Sequence, residues 1–148
     1  MINFTIPGQP QGKGRHRSFV RNGHVSHYTP EKTRSYEGVI TTLAMEAMRG
    51  MKPSEKPLEL RLLIKFAVPA SWPQWKREAA LRGEVAPTTK PDADNVIKAV
   101  KDAMNMIVWR DDCQVVDLNV SKSYSQTPCV EVMVHERGIL PAQVKKRA

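Results

Sequence analysis

Residues 90–115 read KPDADNVIKAVKDAMNMIVWRDDCQV, and the division of this stretch decides the fold. Val96, Ile97, Val100, Ala103, Met104, Ile107 and Val108 recur at three-and-four spacing, which predicts an amphipathic helix over roughly 93–108 with one apolar stripe. The opposite side carries Asp94, Lys98, Lys101, Asp102 and Asn105. Asp94, Lys98 and Asp102 follow one another at steps of four and so lie along one line of the surface. Asp92 stands two residues before Asp94, and inside a helix that spacing points side chains nearly opposite ways. The two carboxylates converge only if the chain is still extended at Asp92. Pro91 favours such an entry, because the residue before a proline is driven away from helical geometry and the ring itself suits a helix start or a turn.

Beyond the helix, Val116, Leu118 and Val120 alternate in a strand over 113–122. Val130, Val132 and Val134 alternate in a second strand over 129–136, after a turn at Ser125–Pro128. Before the helix, a loop over 84–91 follows a short helix that opens at Ser71-Trp72-Pro73 and runs to about Arg82, where Gly83 stops it. Trp72 and Trp75 there read as local core or lid. The cleanest strand is 58–68, in which Leu58, Leu60, Leu62, Ile64, Phe66 and Val68 alternate with Glu59, Arg61 and Lys65. Thr29-Pro30-Glu31 opens another helix, with Thr29 as N-cap. Its apolar positions are Tyr36, Val39, Ile40, Leu43, Ala44, Ala47 and Met48, and Gly50 closes it. Ile2, Phe4 and Ile6 form a first short strand. A basic loop over 8–29 follows, in which Asn22-Gly23 is a hairpin signal. The order of elements predicts one α+β domain over 1–140, a mixed sheet of about four strands with helices on one face (β-α-β-α-α-β-β). Residues 141–148 form a basic tail.

Lys and Arg number 23 against 15 Asp and Glu, a formal charge of +8, which points to a polyanionic partner, nucleic acid first. Lys13, Arg15, Arg17 and Arg21 of the basic loop, with Lys101 and Lys122, are the candidate phosphate contacts. No apolar run is long enough for a bilayer and the first residues lack the pattern of a signal peptide, so the expected setting is the cytoplasm, with no membrane partner. Cys113 and Cys129 then read as reduced thiols, and neither they nor His16, His24 and His27 show zinc-ligand spacing.

Asp92 as an N-cap, Asp94 as a first-turn acid and Lys98 as an ion-pair partner of Asp94 or Asp102 are the structural alternatives to a site. Asp111-Asp112 argues for more. A carboxylate pair past a helix C-terminus opposes the helix dipole, and a divalent cation with oxygen ligands would offset that repulsion. A straight helix running to about residue 108 would carry the chain about 20 Å from Asp94 before Asp112 is reached. Either the helix is shorter or bent and the chain returns, or a neighbouring subunit supplies the second pair; spacing leaves both open.

Lys90-Pro91-Asp92-Ala93-Asp94-Asn95, with Lys98 and Asp102 behind it and Trp109-Arg110-Asp111-Asp112-Cys113-Gln114 after it, resembles the signature of RusA-type Holliday-junction resolvases across residues 90–122. Weaker similarity runs through Ile6-Pro7-Gly8-Gln9-Pro10, Gly12-Lys13-Gly14-Arg15 and Tyr28-Thr29-Pro30. The resemblance implies that Asp92, Asp94 and Asp112 bind Mg²⁺ (with Mn²⁺ as a substitute), that Lys98 is catalytic, and that Asn95, Asp102 and Asp111 stand around them. It implies a homodimer that nicks four-way DNA junctions symmetrically and needs no nucleotide cofactor. The longer basic N-terminal loop and the extra Trp72–Arg82 segment depart from the shorter bacterial pattern and leave substrate preference open. Two rivals remain: a DNA-binding module without catalysis, and a metal-dependent nuclease or phosphatase acting on forks, flaps or small phosphoesters.

Overall fold

The computed structural model describes residues 1–14, 17–28 and 31–138, with backbone alone at 17–21, 25–28 and 31–34. In chain order the elements are strand β1 (Ile2–Pro7), strands β2 (Arg17–Arg21) and β3 (His24–Tyr28), and helix α1 (Glu31–Met48). Strand β4 (Leu58–Ala67), helices α2 (Gln74–Leu81) and α3 (Ala93–Met104), a 3₁₀ turn (Asp112–Gln114), and strands β5 (Val115–Ser125) and β6 (Cys129–Glu136) follow. Thr29 and Pro30, proposed to open α1, and the tail at 141–148 lie outside the described residues. No helix among those described is long and apolar enough to cross a membrane.

The alternation in β4 sets the core. Leu58, Leu60, Leu62, Ile64 and Phe66 are all buried on one side of the sheet. Val130, Val132 and Val134 of β6 and Ile2 and Ile6 of β1 extend that surface. Helices α1 and α3 cover it with Ile40, Ala44 and Met48 from one and Val96, Val100 and Met104 from the other. The sheet runs β1-β6-β4-β5, antiparallel except for β4 beside β5. This is the mixed α+β sheet that the sequence predicts. A parallel neighbour cannot be reached by a tight turn, so residues 68–114 form one long crossover, and every candidate acid lies in it. β2 and β3 pair as a separate hairpin around Asn22 and Gly23, whose φ values of 51° and 77° are those the turn requires.

Three expectations change. Val39 is 45% exposed, so it does not belong to the buried stripe of α1. β5 begins at Val115 rather than 113, because Asp112–Gln114 coils into the 3₁₀ turn. It is also an edge strand, and its Val116 and Leu118 are exposed rather than packed in the core. The main correction concerns α3, which stops at Met104 rather than near 108. Asn105 leaves the helix with ψ 136° and Met106 takes φ 69°. The Met106 N–H then donates to Trp109 O at 2.8 Å, folding the chain back. Val108 still reaches the core, but from this tight loop. The apolar periodicity therefore outlasts the helix.

Candidate active site

The early end of α3 lets the returning chain bring Asp112 to the cleft that Asp94 lines, whereas Asp92 is not among the residues that line it. Asp94, Lys98, Lys101 and Asp102 line a cleft of about 340 Å³ beside α3, and the returning chain adds Asp112 to the same cleft. A larger cleft of about 690 Å³ between β1 and the end of α1 holds one carboxylate, Glu46, so charge rather than volume marks the site.

Each acid is held differently. Asp92 occupies the N-cap position of α3 with extended φ and ψ of −65° and 151°, as an entry through Pro91 requires, but its side chain makes no capping bond. Asp94 is exposed in the first turn, and neither it nor Lys98 has a hydrogen bond or ion pair among the described residues. The ion pairs offered as an alternative role for Lys98 are therefore absent there. Asp102 instead pairs with Lys13, at 2.9 Å, and Lys13 also reaches Glu37 at 2.6 Å. Partial burial alone pushes the Lys13 ammonium down; hydrogen bonds and charge from Glu37 and Asp102 outweigh it and hold the group above its usual range.

Asp111 and Asp112 resolve their electrostatic conflict locally. Asp111 caps the 3₁₀ turn, accepting from the Cys113 N–H at 3.0 Å. The Gln114 side chain answers by accepting from the Asp111 N–H at 2.8 Å. The Cys113 N–H is the main cause of the lowered pKa of Asp111. Asp112 accepts at Oδ1 from the indole Nε1–H of Trp109 at 2.8 Å. The pair thus needs a bound cation less than the sequence argument supposed, and Asp111 is occupied as a cap. Trp109 and Gln114 are the residues whose roles sequence reasoning missed. For Gln114 a signal existed: an acid followed three positions later by Gln is a capping-box pattern.

The flanking segments fix the acids' supports. The Lys13 N–H donates to Asn95 O at 3.0 Å. Gly12 lies so close to α3 that an added Cβ would meet Asn95 Cβ at 2.9 Å and Pro91 Cβ at 3.1 Å. The Lys122 ammonium donates to Thr89 O at 2.8 Å, tying β5 to the loop that delivers Asp92. Lys13 and Lys122 are therefore engaged inside the chain. Arg15 lies outside the described residues, and only the backbone is described at Arg17 and Arg21.

Among the described residues, no group of three His, Cys, Asp or Glu side chains is placed to hold a metal ion. The donor chemistry nonetheless fits a hard divalent ion, which often takes only one or two protein carboxylates, with water and phosphate oxygens completing its shell. Among the described residues, the side chains of Asp92 and Asp94 have no partner and Oδ2 of Asp112 accepts no hydrogen bond.

Residues 7–135 match the profile of the family described as Endodeoxyribonuclease RusA. The Uncharacterized protein YqaN of Bacillus subtilis (strain 168) is 40% identical over 137 residues, covering 91% of this chain and 96% of that protein. The profile match begins at the last residue of β1 and takes in the whole crossover, with Asp92, Asp94, Asp102, Asp111 and Asp112, and nearly all of β6. With that span matched, the chain belongs to the RusA family of endodeoxyribonucleases.

Proposed function

We propose that this protein is a Mg²⁺-dependent Holliday-junction resolvase that works as a homodimer and nicks two strands of like polarity. The observation that carries the reading is the cleft beside α3, which Asp94, Asp112 and Lys98 line together, with Lys98 making no ion pair among the described residues and Asp92 standing at the N-cap of the same helix. Asp94 and Asp112, both on the cleft, would hold the ion, Mg²⁺ or Mn²⁺, and Asp92 would join them through a side-chain movement on binding; the ion would supply an activated water and steady charge on the scissile phosphate.

The remaining steps fall to the chain itself. Lys98 lies one turn from Asp94 on the same cleft and offers its ammonium to a non-bridging phosphate oxygen, where negative charge grows during the reaction. Lys101 extends that positive edge. Asp102 lines the cleft but is paired with Lys13, so it does not compete for the ion. With Lys13 and Lys122 occupied, backbone contacts to DNA fall first to Arg15, Arg17 and Arg21 of the hairpin segment, and binding weakens steeply with salt. A two-fold dimer presents two equal sites to a junction of similar symmetry, the physical basis for paired nicks.

The test compares a synthetic four-way junction with fork, flap and linear duplex at matched salt, in Mg²⁺ and in chelator. Paired symmetric nicks in the junction with Mg²⁺ alone are expected. Preference for linear duplex would remove the resolvase assignment, and cutting in chelator would remove the metal.

A further inference from the structure

Two adjacent aspartates, Asp111 and Asp112, have opposite fates, and one side chain separates them. Trp109 is fully buried, and the backbone around it is tied on several sides. The Met106 N–H donates to Trp109 O at 2.8 Å, the Ser54 N–H to Val108 O at 2.8 Å, and the Arg110 N–H to Ser54 O at 3.2 Å. The Gln114 side-chain amide adds a bond to Ser54 O at 2.8 Å. An indole so placed has little freedom to turn, and its single N–H must be satisfied within reach. The partner is Oδ1 of Asp112, at 2.8 Å. Asp111 meanwhile is consumed by the 3₁₀ cap.

We propose that Trp109 is a positioning residue for the reaction: its indole N–H selects Asp112 over Asp111 as the cleft acid and leaves one oxygen, Oδ2, to face a divalent cation. The inference rests on the metal-dependent reading given above and deepens it. A hydrogen bond to one carboxylate oxygen fixes the side-chain torsion and limits the group to monodentate ligation. Donors placed behind a ligand in this way commonly change metal affinity ten- to a hundredfold when removed, by the general behaviour of such partners.

Trp109→Phe keeps an aromatic ring in the core and removes only the donor. Mn²⁺ binding to the intact protein, followed by electron paramagnetic resonance without DNA, should weaken by about tenfold or more relative to wild type. Junction binding in chelator should stay unchanged, and cutting should recover in part at high metal. Equal Mn²⁺ affinity in the two folded proteins overturns the inference while sparing the metal site. A wild type that binds no Mn²⁺ and cuts in chelator overturns the metal-dependent reading itself. If Trp109→Phe fails to fold, the wild-type indole ¹⁵N–¹H resonances decide. Mg²⁺ should shift Trp109 more than Trp72 and Trp75, and Asp112→Asn should abolish that difference. Equal response of the three indoles overturns the proposal.

Discussion

Asp92 and Asp94 at the start of α3 accept no side-chain hydrogen bond among the described residues, whereas Asp111 and Asp112 at the end of the same crossover are each gripped by a donor. The first pair is left to solvent beside a basic face. The second pair shapes the turn between the tight loop and β5. Acids at a helix start gain a little from the helix dipole, but without a side-chain partner they hold no other element in place, so their use lies in what they bind. Gripped acids can serve the fold, the ligand or both. The contrast divides the four aspartates into two free carboxylates, one structural cap and one acid, Asp112, that belongs to both worlds.

The strongest way to break this division is to neutralise the free pair. Asp92→Asn and Asp94→Asn should each lower junction cutting by about three orders of magnitude, since metal stabilisation of the developing charge is worth several kcal/mol. Junction binding in chelator should persist, and the unfolding free energy in urea should move by no more than about 0.5 kcal/mol, as expected where no contact is lost. A large loss of stability would place these acids with the structural ones. Lys98→Met should come next, with cutting down about a hundredfold at nearly unchanged junction affinity. Single-turnover kinetics separates the two quantities.

Lys13→Met tests the support behind the cleft rather than the cleft itself. It removes charge-assisted hydrogen bonds to Glu37 and Asp102 in a partly exposed setting, and urea unfolding should show a loss of about 1–2 kcal/mol. Because the folded pKa of Lys13 is raised above its ordinary 10.5, this contribution is complete below that pH and fades as pH rises through the folded value. Wild type and variant should therefore differ at neutral pH and converge only in strong alkali. The smallest effect is expected for Asp111→Asn, which keeps an acceptor for the Cys113 N–H and loses only the charge. The lowered pKa of Asp111 makes its ionised form stabilising above the ordinary value of 3.8, and that benefit disappears as pH falls through the folded value. Thermal unfolding below about pH 4 should thus decline slightly less in the variant than in wild type, with cutting little changed. Loss of cutting as severe as that of Asp92→Asn would erase the distinction between cap and ligand.

Much of this arrangement is written in periodicity. β4, β6 and β1 follow from strict alternation, and the hairpin follows from Asn22-Gly23, because each has a local cause. The end of α3 does not. Ile107 and Val108 keep the helical spacing because the loop also turns them inward, and Met106 is not a residue that advertises a positive φ. That missed boundary is the reason the sequence left open how Asp112 approaches Asp94. Lys13 and Lys122 were unreadable for a different reason. Charge alone names a preference for anions, while their partners, Glu37 and Asp102 for one and the carbonyl of Thr89 for the other, are set by contacts between distant segments.

The parallel pairing of β4 with β5 has a further consequence for the life of the chain. Residues 68–114 must be reeled in before those two strands can zip, and ring closures of that span are entropically slow to form. The bond from the Lys122 ammonium of β5 to the Thr89 carbonyl is therefore among the last to close, so the entry into α3 is fastened only once the sheet is complete.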